Sequence, residues 1–311
     1  MSKLQTTRLA SLLALIGLAV SIGLTANAAN DDGTSFAEKP RTEAVKKYSH
    51  WMSRLPDCVT LSELSLPGTH DSCALRDGFS FGFAKCQTWH LAGQLRAGIR
   101  FIDIRCRHVN DQLLIYHGII DQHMTFAEVR DVCRIFLQEH PSECIVMSVK
   151  EESTAANTTR SFAEAFAEAT KNDGNLWYMP REIPELGSVR QRIVLIDRVG
   201  TIGGIRWDDL ERQDEYDAPL ERKTQLIRSH FEQATKADKR RWFINFCSGT
   251  VPKALVTPKQ YAAISNQAAL EFLAELGDER SVRIGTVVMD FPGEDIIERI
   301  VKLNFHSAQV N

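Results

Sequence analysis

Short apolar runs alternate along the chain with longer stretches whose hydrophobic residues recur at helical spacing. The short runs predict β-strands over residues 59–66, 100–106, 112–117, 144–150, 193–199, 211–216, 242–247 and 284–290. The longer stretches predict helices over residues 125–139, 158–171, 218–237, 258–276 and 294–304. The helix after Met124 has the clearest signal, because Thr125 and Glu128 form a capping box before a periodic apolar face.

Strands that alternate with helices favour a parallel sheet covered by helices. For a domain of about 250 residues, the closed form of such a sheet is the (β/α)8 barrel. The connection at 106–112 is too short to hold a helix, so we predict an α/β fold of one domain, an irregular (β/α)8 TIM barrel. The rival is an open doubly wound sheet, but no G-x-G-x-x-G motif follows the first strand.

The N-terminus has the pattern of an export signal. Two basic residues precede an apolar run of about 16 residues, and a small-residue A-x-A sequence ends at Ala28. We predict a signal peptide over 1–28 that is cleaved after Ala28, which makes the protein secreted. The alternative is a membrane anchor, but a spanning helix needs ~20 apolar residues. A flexible lead-in over 29–45 and a catalytic domain over 46–311 would follow.

Cleavage at that site would leave 35 basic and 40 acidic residues, a net charge of −5. This charge argues against a nucleic-acid partner held by phosphate attraction. It also argues against tight binding to anionic membranes by charge alone.

The seven cysteines include no C-x-x-C pair, so a structural zinc site is not expected. Export permits disulfides, and we predict a bridge between Cys73 and Cys86, which share a loop-like segment. Cys133, Cys144 and Cys247 lie in apolar patterns and are predicted to be buried thiols.

Nearly every apolar strand finishes in an ionisable residue. In the stretch SLPGTHDSC (65–73), Pro67-Gly68 is interpreted as a turn that delivers His70 and Asp71. The other strand-end residues are Asp103, Arg105, His117, Lys150, Asp197, Arg198, Asp214, Tyr216 and Asp290. In a barrel, the C-terminal strand ends form the active site. The simpler interpretation is that strand ends are solvated, but two histidines with several aspartates and arginines suit proton transfer and anion binding better.

This set of residues suits phosphoryl transfer without a metal. Two histidines supply one general base and one general acid, and a carboxylate beside each holds its tautomer. An arginine between them can bind a phosphate and offset its growing charge. A substrate hydroxyl next to the phosphate would then attack it and give a cyclic phosphodiester. A metal is the alternative, because His70, Asp71, Asp103 and His117 are suitable ligands, but Arg105 on the same face opposes a divalent cation.

Seven segments together resemble the bacterial phosphatidylinositol-specific phospholipase C family, in the same order. They are SLPGTHDS (65–72), FIDIRCR (101–107), YHG (116–118), PSECIVMSVK (141–150), QDEY (213–216), INFCS (244–248) and VVMD (287–290). The resemblance implies an irregular (β/α)8 barrel that needs no metal or other cofactor. It also implies cleavage of phosphatidylinositol to diacylglycerol and inositol 1,2-cyclic phosphate.

The resemblance also implies a role for each site residue. His70 is expected to be the general base with Asp290 as its partner, and His117 the general acid assisted by Asp71. Arg105 is expected to bind the phosphate, and Asp103 to support the base or the 2-hydroxyl. The residues expected to bind inositol are Lys150, Arg198 and Asp214, with Tyr216 stacking on the ring.

The expected partners are phosphatidylinositol in membranes and glycosyl-phosphatidylinositol anchors, with a monomeric enzyme in transient contact with the membrane. The family places membrane-contacting residues in two regions, which here contain Phe79, Phe81, Phe83, Trp89, Val251, Pro252, Leu255, Val256 and Tyr261. These side chains could instead pack under the loops. The residues without a partner pattern are interpreted mostly as surface residues: His50, His90, His108, His123, His140, His230 and Lys85.

Two other functions stay open. One is a calcium-dependent phosphodiesterase on the same barrel, and the other is a catalytically inactive module that binds inositol or lipid. The presence of both histidines and Arg105 argues against the inactive module.

Overall fold

A computed structural model describes residues 48–277 and 282–305. The predicted signal peptide and the lead-in over 29–45 lie outside these residues. Within the described ranges, no helix is long and apolar enough to cross a membrane.

A curled, mostly parallel sheet forms the centre of the fold. Its strands are β1 (Leu66–Thr69), β2 (Phe101–Val109), β3 (Gln112–His117), β4 (Ile120–Thr125), β5 (Ile145–Glu151), β6 (Trp177–Tyr178), β7 (Ile193–Asp197), β8 (Ile205–Arg206), β9 (Glu211–Gln213), β10 (Phe243–Phe246) and β11 (Thr286–Met289). The order is β6-β7-β5-β2-β1-β11-β10-β9, with β8 also paired to β7. In the described residues no pairing joins β9 to β6 or β8, so the barrel is open there. The predicted irregular (β/α)8 barrel of one domain is confirmed.

Seven α-helices accompany the sheet in the described ranges. They are α1 (Leu91–Ala97), α2 (Phe126–Glu139), α3 (Phe162–Thr170), α4 (Leu186–Val189), α5 (Leu220–Lys236), α6 (Pro258–Leu276) and α7 (Glu294–Lys302). The predicted capping box is present: Thr125 accepts a hydrogen bond from the Glu128 amide, and the Glu128 carboxylate accepts one from the Thr125 amide. The apolar face of α2, including Val129 and Phe136, is buried in the main core.

The first strand begins later than predicted, and Pro67-Gly68 lies inside it. Residues Leu61–Glu63 form a short 3-10 helix, and the turn comes after Thr69. A proline is tolerated in this central strand because its carbonyl accepts from the Arg100 amide, on the β2 side. Its missing N–H points to the same side, where β2 has not yet begun. Glycine suits position 68 because the Cβ of any other residue would lie 2.9 Å from the Cβ of Phe101, which is too close.

Residues Gln112–His117 form a strand as predicted, but it is antiparallel to β2 and not a barrel strand. Asn110 and Asp111 connect the two with φ of 51° and 60°, which suits the tight turn of a hairpin. Strand β4 extends this hairpin and was not predicted, because its segment IDQHMT is largely polar. The hairpin explains why the connection at 106–112 holds no helix.

Candidate active site

The predicted site residues meet at the C-terminal edge of the sheet. His70 and Asp71 follow β1, Asp103 and Arg105 lie on β2, and Asp290 follows β11. The others reach the same place from the end of the β3 hairpin strand, from β5, and from the segments after β7 and β9; they are His117, Lys150, Arg198, Asp214 and Tyr216. Asp197 instead caps its own loop by accepting from the Val199 and Gly200 amides.

His70 is held between the carboxylate of Asp290 and the guanidinium of Arg105. Its Nδ1 lies 2.8 Å from Oδ1 of Asp290, and its Nε2 lies 2.7 Å from Nη2 of Arg105. Since a guanidinium can only donate hydrogen bonds, Nε2 carries the lone pair and the Nδ1–H donates to Asp290. Burial, followed by the positive charge of Arg105, holds the pKa of His70 well below its usual value. The imidazole is therefore neutral, with the tautomer of a general base.

Two residues that were not among the predicted site residues support this pair. The Gln87 side-chain amide donates to the carbonyl of His70 at 2.7 Å and to that of Met289 at 3.0 Å. It thus ties together the two strand ends that carry His70 and Asp290. The Cys86 thiol contacts the Asp290 carboxylate. Both lie in a loop without periodicity, so no pattern assigned either of them to the site.

Asp103 is a buried carboxylate between two arginines. It accepts from Nε of Arg105 at 3.0 Å and from Nη1 of Arg198 at 3.1 Å, and the Ser148 hydroxyl lies 3.2 Å away. Burial alone would raise the pKa of Asp103, but the charges of Arg105 and Arg198 lower it far below its usual value. Asp103 therefore stays ionised and fixes the guanidinium of Arg105 in the pocket.

His117 and Asp71 form the second half of the site. Nδ1 of His117 lies 2.9 Å from the carbonyl of Ala84, so this nitrogen carries a proton and donates it. Its Nε2 faces Oδ2 of Asp71 at 3.8 Å. Asp71 has a left-handed backbone, with φ of 39°, and its side chain faces His117, whereas that of His70 faces Asp290. The two neighbours in sequence thus serve different histidines.

The carboxylate of Asp71 is unusual because it is buried without a hydrogen bond. Neither of its oxygens has a hydrogen-bond partner among the described residues, and the residue has no exposed surface. Burial raises the pKa of Asp71 to about 7.

Glu152 is a site residue that the sequence reasoning missed. It accepts from the Gly118 amide at 3.0 Å, from Nζ of Lys150 at 3.0 Å and from Nη1 of Arg105 at 3.4 Å. Burial would raise the pKa of Glu152, but the charges of Arg105 and Lys150 lower it. It follows β5 directly, so the strand-end pattern that selected Lys150 could also have selected Glu152.

The rim of the pocket carries Arg198, Asp214 and Tyr216. Arg198 donates to Asp214 at 3.3 Å, and its guanidinium carbon lies 4.0 Å from the ring centre of Trp207. Burial raises the pKa of Asp214. Tyr216 is 58% exposed, so a face of its ring is open to a bound molecule.

Several predictions from the sequence are wrong in this structure. Cys73 and Cys86 are not bridged; each is a buried free thiol, like Cys133, Cys144 and Cys247. Burial raises the pKa of both thiols well above its usual value.

Two of the histidines interpreted as surface residues are buried. His108 packs edge-on against Phe162, and the ring of His230 packs at a tilt against Phe243. Burial lowers the pKa of His230 to about 4.

Two of the residues proposed for membrane contact also point inward. Trp89 packs against the core, and Tyr261 is fully buried with its hydroxyl donating to the Ala218 carbonyl.

Two groups of side chains could hold a metal ion in the described residues. The first is His70, Cys86 and Asp290, and the second is Asp71, His117 and Glu152. In each group the donor atoms lie within 4.8 Å of one another. The first group includes the proposed base, and the second includes the proposed acid.

Comparison with known proteins shows which family this chain is similar to. The family model "Phosphatidylinositol-specific phospholipase C, X domain" matches residues 67–199. A 1-phosphatidylinositol phosphodiesterase from Listeria monocytogenes is 34% identical over 276 residues, which cover 82% of this chain and 84% of the relative. An enzyme with the same name from Staphylococcus aureus is 28% identical over 299 residues, which cover 83% of this chain and 95% of the relative.

Solved structures show the same similarity. The Listeria monocytogenes phosphatidylinositol-specific phospholipase C superposes with a TM-score of 0.74 at 32% identity, covering 83% of this chain and 99% of the other. A Staphylococcus aureus phosphatidylinositol-specific phospholipase C, solved to study the modulation of its membrane binding, superposes with a TM-score of 0.76 at 26% identity. The match covers 84% of this chain and 99% of the other.

Proposed function

This chain belongs to the bacterial phosphatidylinositol-specific phospholipase C family, and from that premise we propose that it cleaves phosphatidylinositol by metal-independent acid–base catalysis. The observation that carries the proposal is the tautomer of His70, which presents a bare Nε2 beside a phosphate-binding arginine. The products would be diacylglycerol and inositol 1,2-cyclic phosphate.

His70 is the proposed general base for the inositol 2-hydroxyl. When a substrate phosphate binds, Nη2 of Arg105 donates to a phosphate oxygen instead of to Nε2 of His70, while its Nε stays on Asp103. The substrate hydroxyl then takes the place beside Nε2. The hydroxyl proton moves to Nε2 while the 2-oxygen forms a bond to phosphorus. Asp290 accepts the Nδ1–H of the resulting imidazolium and stabilises its charge.

His117 is the proposed general acid for the leaving group. In its protonated form Nε2 donates a proton to the glycerol oxygen as the bond between phosphorus and that oxygen breaks. Asp71, at 3.8 Å, stabilises the imidazolium before the transfer. Water can later add to the cyclic phosphate with the two histidines in exchanged roles.

The inositol ring is proposed to lie on the rim residues. Lys150, Arg198 and Asp214 supply donors and acceptors for its hydroxyls, and Tyr216 supplies an open aromatic face. Because Arg198 also binds Asp103, contact with the ring would be linked to the position of Arg105. Glycosyl-phosphatidylinositol anchors share this head group and are proposed as further substrates.

Exposed apolar side chains around the pocket are proposed to touch the membrane. Phe79 and Phe81 are 72% and 74% exposed, and Leu255 is 75% exposed. The two loops are adjacent, because a Cβ at Gly82 would lie 3.1 Å from the Thr257 side chain. Ile119, at the hairpin tip next to His117, is 73% exposed and extends the same patch. The patch would let a monomer bind the membrane transiently with the pocket facing the lipid.

The proposal also includes export. A secreted enzyme would meet its substrate at a membrane outside the cell that made it. N-terminal sequencing of the exported protein would then start at Ala29, and a start at Met1 would contradict cleavage.

The experiment that tests the reaction is incubation of the purified protein with phosphatidylinositol in chelator, with phosphorus NMR of the products. A cyclic phosphate signal is expected first. An acyclic first product contradicts the mechanism. Activity that is lost in chelator and restored by calcium would support the metal-dependent phosphodiesterase, and no cleavage under either condition would support the inactive binding module.

The histidine roles have a direct test. His70→Ala and His117→Ala are each expected to lower turnover at least ~10²-fold, because each removes one proton-transfer group. Circular dichroism should show that both variants are folded. Near-normal turnover in either variant would remove that histidine from its role.

A further inference from the structure

We infer that Lys223 is a positioning residue for the inositol ring, because it holds the segment 214–216 in place and puts a buried positive charge behind Asp214. This role rests on the proposed function, in which Asp214 and Tyr216 of that segment bind the head group. Lys223 has no exposed surface, so it acts through these residues and does not touch the substrate.

A lysine is unexpected at this position of α5. Its side chain lies on the buried face of the helix with Ile227, Phe231 and Ala234, where an apolar side chain would be buried at less cost. Burial lowers the pKa of Lys223 for the same reason. Since lysines are almost never fully buried unless paired, the ammonium is expected to meet a demand that an apolar side chain would not meet.

The ammonium binds the residues on both sides of Asp214. Nζ of Lys223 donates to the carbonyl of Glu215 at 2.9 Å and to Oε1 of Gln213 at 3.3 Å. The Glu215 amide donates to that same Oε1 at 3.0 Å. Together these bonds close a ring around the backbone of Asp214 and restrict the direction in which its side chain leaves the chain.

The segment needs this support because it continues a strand at the open edge of the sheet. Strand β9 ends at Gln213, and among the described strands its only neighbour is β10. Beyond Gln213 the ladder stops, so residues 214–216 are held by individual hydrogen bonds. One comes from Lys223, and another runs from the Thr250 amide to the Tyr216 carbonyl at 2.9 Å.

The side chain of Gln213 connects Lys223 to the rest of the sheet. Its Nε2 donates to Oδ1 of Asn245 at 2.8 Å and to the carbonyl of Phe246 at 2.9 Å. The Asn245 side chain donates in turn to the carbonyl of Ile227 in α5 at 2.9 Å. Lys223 therefore belongs to a buried network that joins the helix, β9 and β10, and a change at Lys223 would reach the rim through these bonds.

The charge of the ammonium also acts on Asp214. The charged groups around Asp214 are Arg198, Asp103, Arg105 and Lys223. Burial raises the pKa of Asp214, and the cations among these groups lower it. An ionised carboxylate only accepts hydrogen bonds, which suits it to the hydroxyls of an inositol ring. Loss of Lys223 would favour the protonated form, which is a poorer acceptor.

Head-group binding is tested with myo-inositol, by ligand-observed NMR titration of the full mature chain. Lys223→Met keeps an unbranched stem and loses the ammonium. Its Kd for myo-inositol is expected to rise about 3- to 30-fold, the usual range for residues that act on a ligand without touching it. The control is Lys236→Met, because Lys236 is exposed at the end of the same helix, and its Kd should match that of the parent. Equal Kd in Lys223→Met and the parent, or no binding to the parent, would overturn the inference.

Kinetics distinguish positioning from a general loss of structure. Inositol 1,2-cyclic phosphate is a soluble substrate that carries the head group without the lipid. For its hydrolysis, Lys223→Met should raise KM by about the same factor as Kd and lower kcat less, because both histidines and Arg105 keep their own contacts. A fall in kcat with KM unchanged would overturn the inference.

Lys223→Gln covers the case in which Lys223→Met does not fold. Its amide keeps an N–H donor on the side of Glu215 but brings no charge, so Asp214 should take up a proton at higher pH than in the parent. The loss of myo-inositol affinity in acid is therefore expected at higher pH in this variant. A Kd that equals that of the parent at every pH would overturn the inference.

Cleavage assays separate this role from the proposed function. A parent protein that binds myo-inositol but does not cleave phosphatidylinositol contradicts the proposed reaction, while the Kd of Lys223→Met still decides the role of Lys223. A parent protein that cleaves phosphatidylinositol, with Kd and KM unchanged in Lys223→Met, contradicts the positioning role and leaves the proposed function intact.

Discussion

The protonation of His70 is controlled by neighbours that oppose a positive charge on the ring. Burial is the largest effect, followed by the guanidinium of Arg105, and both lower the pKa of His70. His117 and Arg198 act in the same direction, while Asp103 opposes them. A base with a lowered pKa keeps its lone pair in more acidic solution than a free histidine would.

The pH dependence of kcat/KM should show this directly. Protonation of His70 removes the base, so the rate falls as the pH drops through the pKa of this residue in the free enzyme. Because the pKa is lowered, the midpoint of the acidic limb is expected below 6.5. A soluble short-chain substrate avoids changes at the lipid surface. A midpoint at or above 6.5 would contradict the neutral imidazole.

Helices were easier to predict from the sequence than the strands that carry the chemistry. The helix over 258–276 has the predicted bounds, because a capping residue, a proline at its start and apolar periodicity are all local signals. Strand β1 begins later in the chain than predicted, because its Pro-Gly pair is accommodated by a partner strand about thirty residues away. Tertiary contacts of that kind leave no local pattern.

The site was predicted to the extent that strand ends carry it. Asp103 and Arg105 were found in this way, since their strand alternates clearly. His117 was selected by the same rule although it lies on an antiparallel hairpin. Cys86 and Gln87 were missed because they act from a loop, and a loop residue can be placed only when the fold is known.

Gly68 tests the packing between β1 and β2. In Gly68→Ala, the new Cβ would lie 2.9 Å from Phe101 Cβ and 3.1 Å from its carbonyl oxygen. We expect a loss of about 1–3 kcal/mol in the free energy of unfolding, because backbone must move. Urea unfolding followed by circular dichroism measures it.

Gly93→Ala is the matched control for this prediction. Gly93 lies within α1, and its new Cβ would make an ordinary contact of 3.6 Å with Trp89. Here the same substitution should stabilise the fold by about 0.4–1 kcal/mol. If both variants shift in the same direction, the steric account of Gly68 is wrong.

The aromatic loop offers a test of membrane contact. Phe81→Ser should lower the affinity for phosphatidylcholine vesicles about tenfold or more, since burying a phenylalanine side chain contributes about 1.5–3 kcal/mol. Co-sedimentation with the vesicles measures this affinity. Ile135→Ser is the control, because Ile135 is 52% exposed on α2, in a helix that covers the sheet. Equal binding of Phe81→Ser and the parent protein would remove this loop from the contact surface.

At the scale of the whole molecule, the candidate active site and a buried ion pair lie at opposite ends of the sheet. Arg100 and Glu143 lie just before β2 and β5, and both are fully buried. Nε and Nη2 of Arg100 donate to one Glu143 oxygen at 2.9 Å and 2.7 Å. Arg100 also donates to the carbonyl of Ser49, which fastens the start of the described chain to the barrel.

Glu143→Gln should therefore destabilise the protein without touching the chemistry. Breaking a buried ion pair on one side costs about 3–5 kcal/mol, because the other charge stays buried. Asp208→Asn is the control: Asp208 pairs with Arg212 but is 73% exposed, so its loss should cost about 1 kcal/mol or less. Thermal and urea unfolding measure both variants. Comparable losses in the two would contradict the assigned difference.

The two histidines proposed for proton transfer stand on different kinds of element, because His117 lies on a hairpin. The base proposed to act on the inositol 2-hydroxyl, His70, follows a parallel strand that neighbours fix from both sides. The group proposed to act on the leaving alcohol stands at the end of a hairpin that, among the strands that the structure describes, pairs with the main sheet through β2 alone. We therefore expect sequence changes in the hairpin to affect which alcohol is released more than they affect head-group recognition. For enzyme engineering, residues 107–125 other than His117 are the place to diversify first.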